Sequence, residues 1–225
     1  MKKVIYTLFS IALLATGCTD LDPTLEQDKI LGESIKSVED VRSVLNSAYN
    51  RMSLREYYGR DVIIFGEVRS DNAYSDANSN RFITVAKMDM NRTDAYASET
   101  WTRINQTIIS TNVVINADRA KITGDVTTLN HYLGEAYAIR ALAHFDLLKL
   151  YGQQYQESDR TKALGVPYTK VFGKAIYPAR ETVQRTYELI MEDLNAAISN
   201  LSASKDDASA HYITTFAAYA LKARV

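Results

Sequence analysis

The sequence predicts an all-α fold built from paired helices and long irregular loops. Its 225 residues include only three prolines and nine glycines, whereas an all-β sandwich or barrel needs many turn residues. Apolar residues recur three and four positions apart along several long segments, which is the period of a helix that buries one face. With 46% apolar and 24% charged residues, the chain has the composition of a globular protein.

The helical period, together with the polar residues that precede it, predicts five helices. Ser37 and Asp40 form a capping-box pattern at the start of the first helix, which is expected to end near Gly59. Within the third helix, Gly134 predicts a close contact with a neighbour, and Gly152 is expected to end the helix in the left-handed conformation. The five predicted helices span about residues 37–58, 94–121, 127–151, 182–201 and 214–225.

Two pairs of these helices are expected to form antiparallel hairpins, the second with the third and the fourth with the fifth. Alanines recur where large residues of a partner helix would pack, as they do in tetratricopeptide-like repeats. The Trp-Leu-Gly and Pro landmarks of the strict repeat are absent. Periodicity alone therefore supports either a solenoid of helical hairpins or an irregular bundle, with irregular segments over residues 70–80 and 153–178.

The first residues predict export and a lipid anchor. Two lysines precede a short apolar run, Val4 to Ala15, and small residues then lead into Cys18, the only cysteine. This order is typical of a secretory signal peptide. It also resembles the lipobox of bacterial lipoproteins, although Ala15 stands where leucine is usual. We expect residues 1–17 to be a lipoprotein signal peptide and Cys18 to be lipidated; an ordinary signal peptide with an incidental cysteine is the alternative.

The composition and the motifs disfavour several functions. A net charge of −1 provides no basic surface for nucleic acid, and one cysteine allows neither an intramolecular disulfide nor a multi-cysteine metal site. The histidines lack the spacing of zinc ligands, and the chain shows no serine elbow or phosphate-binding glycine loop. We expect a protein without catalytic residues, metal or cofactor. The three histidines are His131, His144 and His211.

Several segments, taken together, resemble the SusD/RagB family. Glu135–Gly152 resembles the long-helix signature of that family, and Pro178–Leu201 resembles its next helix. Each short motif alone is weak, but the likeness spans nearly the whole chain after the cysteine. The other matching features, in the family's order, are the lipoprotein start, Ser70-Asp71-Asn72, Trp101, Gly165-Val166-Pro167 and Ala217–Val225.

The resemblance implies a cell-surface lipoprotein of the outer membrane that captures nutrient polymers, with an oligosaccharide or polysaccharide as the expected ligand. It implies tetratricopeptide-like hairpins in an α-α superhelix, and a partner TonB-dependent, SusC-like transporter over which the protein closes as a lid. Family members continue beyond the point where this chain stops, so residues 18–225 are expected to be an N-terminal helical domain whose C-terminal continuation is missing. A tetratricopeptide-like envelope lipoprotein that only assembles other proteins is the alternative.

The loop after residue 70 carries most of the candidate ligand-binding residues. Their amide, hydroxyl and guanidinium groups can hydrogen-bond sugar hydroxyls, whereas a plain solvated loop is the alternative. The pattern Asp76-x-Asn78-x-Asn80 imitates the start of an EF-hand loop. However, Arg81 and Lys87 stand where a calcium loop needs glycine and glutamate, so we expect no metal there. The loop candidates are Asn72, Tyr74, Asp76, Asn78, Asn80 and Arg81.

Trp101 and Arg140 each allow two interpretations. Trp101 is a further ligand-binding candidate because its flat face can stack on a sugar ring, but its register with Ile104 and Ile108 favours burial. Arg140 lies on the apolar face of the third helix, where an unpaired guanidinium would be costly. We expect it to be a structural arginine paired with an acid. The possible partners are Glu135, Asp146 and Asp193.

Overall fold

Five helices begin within one residue of the predicted start, because a polar side chain caps the first turn of each. The structure is a computed structural model that describes residues 35–70, 72–76, 78–172, 178–208 and 211–225. The Ser37 hydroxyl accepts a hydrogen bond from the Asp40 amide at 3.1 Å, and the Asp40 carboxylate accepts one from the Ser37 amide at 3.1 Å. The other four caps are Asp94, Asp125, Thr182 and Thr214.

Seven α-helices form within the described residues, two more than the sequence predicts. In chain order they are α1 (Val38–Ser53), α2 (Asp61–Arg69), α3 (Ile83–Ala86), α4 (Ala95–Ile115), α5 (Val126–Tyr151), α6 (Val183–Asn200) and α7 (Thr215–Arg224), with 3₁₀ turns at Arg119–Lys121 and Ala203–Lys205. The two additions, α2 and α3, have nine and four residues and are too short for apolar periodicity to reveal. They pack through a small apolar cluster around Phe65 and Phe82.

The helices pack as neighbouring pairs, and the fold is all-α with the tetratricopeptide-like arrangement that was predicted. α4 packs against α1 and α5, α5 packs most extensively against α6, and α6 packs against α7. The apolar stripe of α5 forms much of the core, since Leu133, Ala136, Ala143 and Leu147 are at most 3% exposed. In the described part of the chain, strand pairing is limited to two isolated bridges.

α5 approaches the end of α6 closely at Gly134, as the sequence predicts. A Cβ atom built on Gly134 would lie 2.8 Å from the Leu201 amide nitrogen and 2.9 Å from the Ala197 carbonyl oxygen. Both atoms belong to backbone that cannot move without displacing the helix end. A side chain at this position would therefore push against the end of α6, which accounts for a glycine here despite the cost of about 1 kcal/mol that glycine carries inside a helix.

A buried ion pair joins α5 to α6. The Arg140 guanidinium donates to both carboxylate oxygens of Asp193, at 2.7 and 2.6 Å, and each residue is 3% exposed. The third guanidinium nitrogen of Arg140 donates to the Asn112 side-chain oxygen of α4 at 2.8 Å. The expectation of a paired structural arginine is confirmed, and Asp193 is its partner.

The two other acidic candidates on α5 have different partners. Glu135 accepts two hydrogen bonds from Arg42 of α1, at 2.9 and 3.1 Å. Asp146 accepts hydrogen bonds from the hydroxyls of Tyr57 and Tyr58, at 2.8 and 2.6 Å. Both acids thus fasten α1 and the turn after it to α5.

The irregular connection between α5 and α6 is fastened to the same polar cluster. The His144 ring accepts a hydrogen bond at Nε2 from the Thr169 amide at 3.1 Å, so Nδ1 carries the proton and donates to the Arg140 carbonyl at 2.9 Å. The ring stacks on Tyr168 with 3.7 Å between centroids, and the Tyr168 hydroxyl donates to Asp193 at 2.6 Å. Complete burial lowers the pKa of His144 to about 3.

Three helix ends differ from the prediction. α1 ends at Ser53 rather than near Gly59, because Leu54 has an extended backbone and a turn follows it. α4 ends at Ile115, and a separate 3₁₀ turn follows. The expected left-handed cap of α5 is wrong, because Gly152 has φ −88° and ψ 169°, an extended conformation.

The compact unit of the structure runs from Ile35 to Val225. The predicted signal peptide, residues 1–17, and the predicted lipidation site Cys18 lie outside the described residues. Among the residues that are described, no helix is both long enough and apolar enough to cross a bilayer.

We predict that Gly134→Ala destabilises the protein although alanine is the better helix former. The new methyl group would overlap backbone atoms of the α6 terminus, and such overpacking costs about 1–3 kcal/mol. Urea denaturation measures the free energy of unfolding. Gly66→Ala is the matched control, because nothing lies within 4 Å of a Cβ built on that exposed residue of α2. The control should gain up to about 1 kcal/mol. Equal stabilities of the two variants would contradict the close contact.

We predict that the free energy of unfolding falls as the pH drops below about 6.5, the usual pKa of histidine. The folded state keeps His144 neutral, whereas the unfolded chain takes up a proton there, so His144 alone contributes a loss of about 1.4 kcal/mol per pH unit. Urea denaturation at several pH values between 7.5 and 5 should show a shallower slope for His144→Gln. His211→Gln changes an exposed histidine and is the control. An unchanged slope in His144→Gln would refute this assignment.

Candidate functional site

The connection between α2 and α4 carries most of the sequence-predicted ligand-binding residues, and Phe82 anchors it. The Phe82 ring stacks on Tyr96 of α4 with 4.5 Å between centroids, and meets Phe65 of α2 edge-on at 6.3 Å. The Phe82 amide also donates to the Tyr96 hydroxyl at 3.2 Å. This buried aromatic group fixes the end of the loop against two helices.

Backbone strain is concentrated in the same connection. Asn80, Phe82 and Met88 have φ angles of 52°, 56° and 54°, and in the described ranges they are the only residues other than glycine with positive φ. The left-handed region is uncommon for such residues and is a genuine outlier for a bulky one. Strain of this kind persists where the surroundings impose it, and it clusters at binding and active sites.

A cleft of about 680 Å³ opens between α2, the segment after α3, the start of α4 and the end of α5. This size lies within the range of about 300–1,000 Å³ that is usual for small-molecule sites. Asn91, Ser98 and Thr102 add amide and hydroxyl groups to its wall. We name it the Trp101 cleft, and its principal lining residues are Phe65, Arg69, Met88, Met90, Trp101 and Tyr151.

Trp101 belongs to the core and to the cleft at once. It is half-buried, and its ring meets the Tyr151 ring edge-on with 5.0 Å between centroids. The Tyr151 hydroxyl donates to the Ala97 carbonyl at 2.7 Å, and burial raises the Tyr151 pKa, so the phenol stays neutral. Ile104 and Ile108 continue the same stripe and are almost completely buried, as their register predicts.

Two arginines give the Trp101 cleft a positive charge. Arg69 donates to the Met90 sulfur at 3.1 Å and holds its guanidinium 5.6 Å from the Phe65 ring centroid. Arg92, which is exposed, also lines the cleft. Aspartate and glutamate are absent from the lining within the described residues.

A second cleft, of about 490 Å³, lies between α2 and the loop that follows it. Three of the predicted candidates, Tyr74, Asp76 and Arg81, line this loop cleft, together with Glu67 of α2. Tyr74 is 86% exposed and so contributes little to folding. The Ser75 hydroxyl donates to the Arg81 carbonyl at 2.7 Å and closes the base of the loop.

The three asparagines among the candidates line neither cleft. The Asn72 amide hydrogen approaches the Ser70 hydroxyl, with 3.4 Å between nitrogen and oxygen. Asn78 donates to the Asp76 carboxylate through its backbone and its side chain, both at 3.1 Å, which forms a local turn. Asn80 takes up the left-handed conformation. The sequence-predicted candidates are thus divided between two clefts and the loop itself.

Sequence reasoning missed most of the Trp101 cleft. Phe65, the two methionines Met88 and Met90, and Tyr151 come from three separate parts of the chain, and no sequence pattern groups them as a site. The one available signal was the pair of methionines in an otherwise polar connection, since flexible thioethers are often used at adaptable binding surfaces.

A larger cleft, of about 810 Å³, runs along α6, but its charged groups satisfy one another. Arg185 pairs with Glu188 and Glu192 at 3.0 and 3.1 Å, and Arg160 donates to the Tyr155 hydroxyl. A ligand would have to replace these contacts. The Trp101 cleft has aromatic rings and two arginines that donate to no oxygen of the described residues, and it is the better candidate site.

The arrangement is chemically suited to holding a ligand. Aromatic and thioether groups offer apolar contact, and amides, hydroxyls and guanidinium groups offer hydrogen bonds. Within the described ranges, no three histidine, cysteine, aspartate or glutamate side chains lie together in a way that could hold a metal ion. The protein is thus a tetratricopeptide-like scaffold that carries an aromatic-lined cleft on its surface.

The family follows from comparison with known sequences. The profile of a SusD-like family, described as starch-binding and associating with the outer membrane, matches residues 21–225. The chain therefore belongs to the SusD-like family, and the resemblance recognised in its sequence is confirmed. A SusD-like protein of Bacteroides ovatus is 27% identical over 231 residues, which cover 100% of this chain and 39% of that protein.

Solved structures share the fold. A SusD superfamily protein from Bacteroides vulgatus is 30% identical with a TM-score of 0.76, and the match covers 84% of this chain and 43% of that one. A SusD superfamily protein from Bacteroides thetaiotaomicron is 26% identical with a TM-score of 0.73, covering 84% and 42%. The chain thus spans about two fifths of the length of these relatives.

Proposed function

We propose that the protein binds nutrient glycans at the outer face of the outer membrane and passes them, without cleaving them, to a TonB-dependent, SusC-like transporter. The observation that carries the proposal is the Trp101 cleft in a chain of the SusD-like family. The description of that family as starch-binding and associating with the outer membrane supports the ligand class and the location. The transporter rests on the sequence resemblance alone.

In the proposed complex, a sugar ring lies in the Trp101 cleft. The apolar face of a pyranose matches a flat aromatic surface, which Trp101 supplies from a position fixed by Tyr151. Asn91, Ser98 and Thr102 would bond the hydroxyls at the edge of the ring. The fixed aromatic group would provide affinity, and these polar groups would orient the sugar.

The loop cleft would meet a second part of a longer glycan. Tyr74 exposes almost its whole side chain there, beside Asp76 and Arg81, and α2 contributes to both clefts. Asn72, Asn78 and Asn80 would then act through the shape of the loop. The described side chains of the two clefts offer stacking surfaces and hydrogen bonds, which is why binding is the proposed activity.

Attachment to the membrane would be through Cys18. Apolar lipid chains on one cysteine would hold the helical domain at the surface. One acyl chain anchors a protein only marginally, so the proposal requires the multiply acylated cysteine of bacterial lipoproteins.

We predict that Trp101→Ala weakens binding to soluble starch about tenfold, because the stacking surface is lost; tenfold corresponds to about 1.4 kcal/mol. Affinity electrophoresis in starch-containing gels measures the loss. Since Trp101 is the only tryptophan, its fluorescence should also change when starch fragments are added to the unaltered protein. Trp101→Phe keeps an aromatic ring and should keep part of the affinity.

Two further variants separate binding from folding. Tyr74→Ala should weaken starch retention while leaving thermal stability almost unchanged, because Tyr74 is exposed. Tyr219→Ala removes a tyrosine of α7 that is 54% exposed and lines neither cleft, so retention should be unaffected. Unaltered starch retention in both Trp101→Ala and Tyr74→Ala would refute the proposed site.

We predict that Cys18→Ala abolishes lipidation and releases the protein from the membrane fraction. The reason is that the chain has one cysteine, which directly follows the signal-peptide pattern. Metabolic labelling with a palmitate analogue, followed by fractionation of the cells, measures both effects. Ser34→Ala is a suitable control, because it alters the same N-terminal region and keeps the cysteine. Persistent labelling of Cys18→Ala would contradict the anchor.

A further inference from the structure

The charge of the Trp101 cleft is the feature that the proposed function does not use. Arg69 and Arg92 both line it, and no acidic side chain of the described residues does. Asp94, the acid closest to Arg92 in sequence, is occupied as the cap of α4 and accepts from the Tyr96 amide at 2.9 Å. The cleft therefore carries two positive charges without a counter-charge in its wall.

These arginines differ from the others in the described part of the chain. Apart from Arg69, Arg81, Arg92 and Arg224, every arginine there donates a hydrogen bond to an oxygen of a carboxylate, a carbonyl, an amide or a hydroxyl. Arg81 lines the loop cleft, where Glu67 and Asp76 also lie. Arg224 of α7 lines neither cleft and lies 6.0 Å from the Phe145 ring centroid. The arginines that donate to an oxygen are Arg42, Arg51, Arg55, Arg60, Arg103, Arg119, Arg140, Arg160, Arg180 and Arg185.

Arg69 is also held in place. Its guanidinium donates to the Met90 sulfur and lies over the Phe65 ring, so two lining residues fix it without neutralising it. Thioether sulfur is a weak acceptor, and most of the five guanidinium donors remain available. A positioned, unneutralised guanidinium beside an aromatic platform is suited to an oxyanion on a sugar ring.

We infer, on the basis of the proposed function, that the glycan bound in the Trp101 cleft is anionic and carries a carboxylate or a sulfate on the sugar that meets Trp101. A neutral sugar needs only hydrogen-bonding groups, which amides and hydroxyls of the cleft already supply. Two arginines in a wall that has no aspartate or glutamate among the described residues add attraction for an anion, and Arg binds carboxylates and sulfur or phosphorus oxyanions in a bidentate manner.

The test compares three polymers on the full chain by affinity electrophoresis: polygalacturonate for the carboxylate, carrageenan for the sulfate and soluble starch as the neutral glycan. We expect at least one anionic polymer to be retained about tenfold more strongly than starch. Raising the salt to 1 M, where the screening length falls to about 3 Å, should bring that polymer to the level of starch. Methyl esterification of polygalacturonate removes the charge and should have the same effect.

Arg69→Gln and Arg92→Gln test the two residues. Each should weaken retention of the anionic polymer about fivefold, since unit charges 4 Å apart attract by about 1 kcal/mol in water. Retention of starch should fall by less than retention of the anionic polymer, because glutamine keeps a hydrogen-bonding group and loses only the charge. Arg119→Gln is the matched control, because Arg119 is exposed and lies outside the cleft. All three positions are exposed, so circular dichroism and melting curves should be unchanged.

The outcomes distinguish this inference from the proposed function. If starch is retained as strongly as both anionic polymers, or if the double variant of Arg69 and Arg92 retains them fully, the glycan is not selected by charge and the inference is wrong. Starch retention that depends on Trp101 would then still support the proposed function. If none of the three polymers is retained, or if Trp101→Ala changes none of them, the proposed function is wrong as well.

Discussion

The buried ion pair between Arg140 and Asp193 holds the scaffold in one arrangement. The attraction between the apolar faces of α5 and α6 has little directional preference. By contrast, a buried guanidinium that loses its carboxylate costs about 3–5 kcal/mol. The Asn112 side chain accepts a hydrogen bond from the remaining guanidinium nitrogen and so connects α4 to the ion pair. Tyr168 and His144 complete the cluster and fasten the irregular connection between α5 and α6 to it. One charged contact thus sets the register of three helices and a loop.

The same register positions two walls of the Trp101 cleft. Trp101 lies on α4 and Tyr151 at the end of α5, so their edge-on contact exists only when those helices are correctly packed. The third wall is of a different kind, since it consists of short helices and a strained connection anchored by Phe82. Binding sites commonly combine a rigid scaffold with loops that are more adaptable, and the Trp101 cleft has this composition. The buried cluster around Arg140 therefore supports the helix packing on which the Trp101 cleft depends.

The long helices could be predicted because their signals are local. Caps such as Ser37 and the period of apolar residues act within a few positions of the chain. α2 and α3 are too short to show a period, and the left-handed backbone of Phe82 has no sequence signature. The partner of Arg140 illustrates the same limit. Glu135 and Asp146 lie five and six positions from Arg140, whereas side chains on one helix face each other at spacings of three and four. The pairing with Asp193 instead depends on how α5 packs against α6.

The site was only partly predictable for a related reason. Trp101 could be singled out as the one tryptophan, but its neighbours Phe65, Met90 and Tyr151 are assembled by tertiary contacts. The two interpretations of Trp101, as core residue or as sugar platform, also turn out to be compatible. A ring that is already packed against Tyr151 loses little conformational freedom when a ligand stacks on it, and side chains that are ordered before binding lower the entropic cost of association. Partial burial therefore makes Trp101 more suitable as a stacking surface for a sugar. An aromatic residue on a buried stripe is a candidate binding residue wherever that stripe reaches the surface.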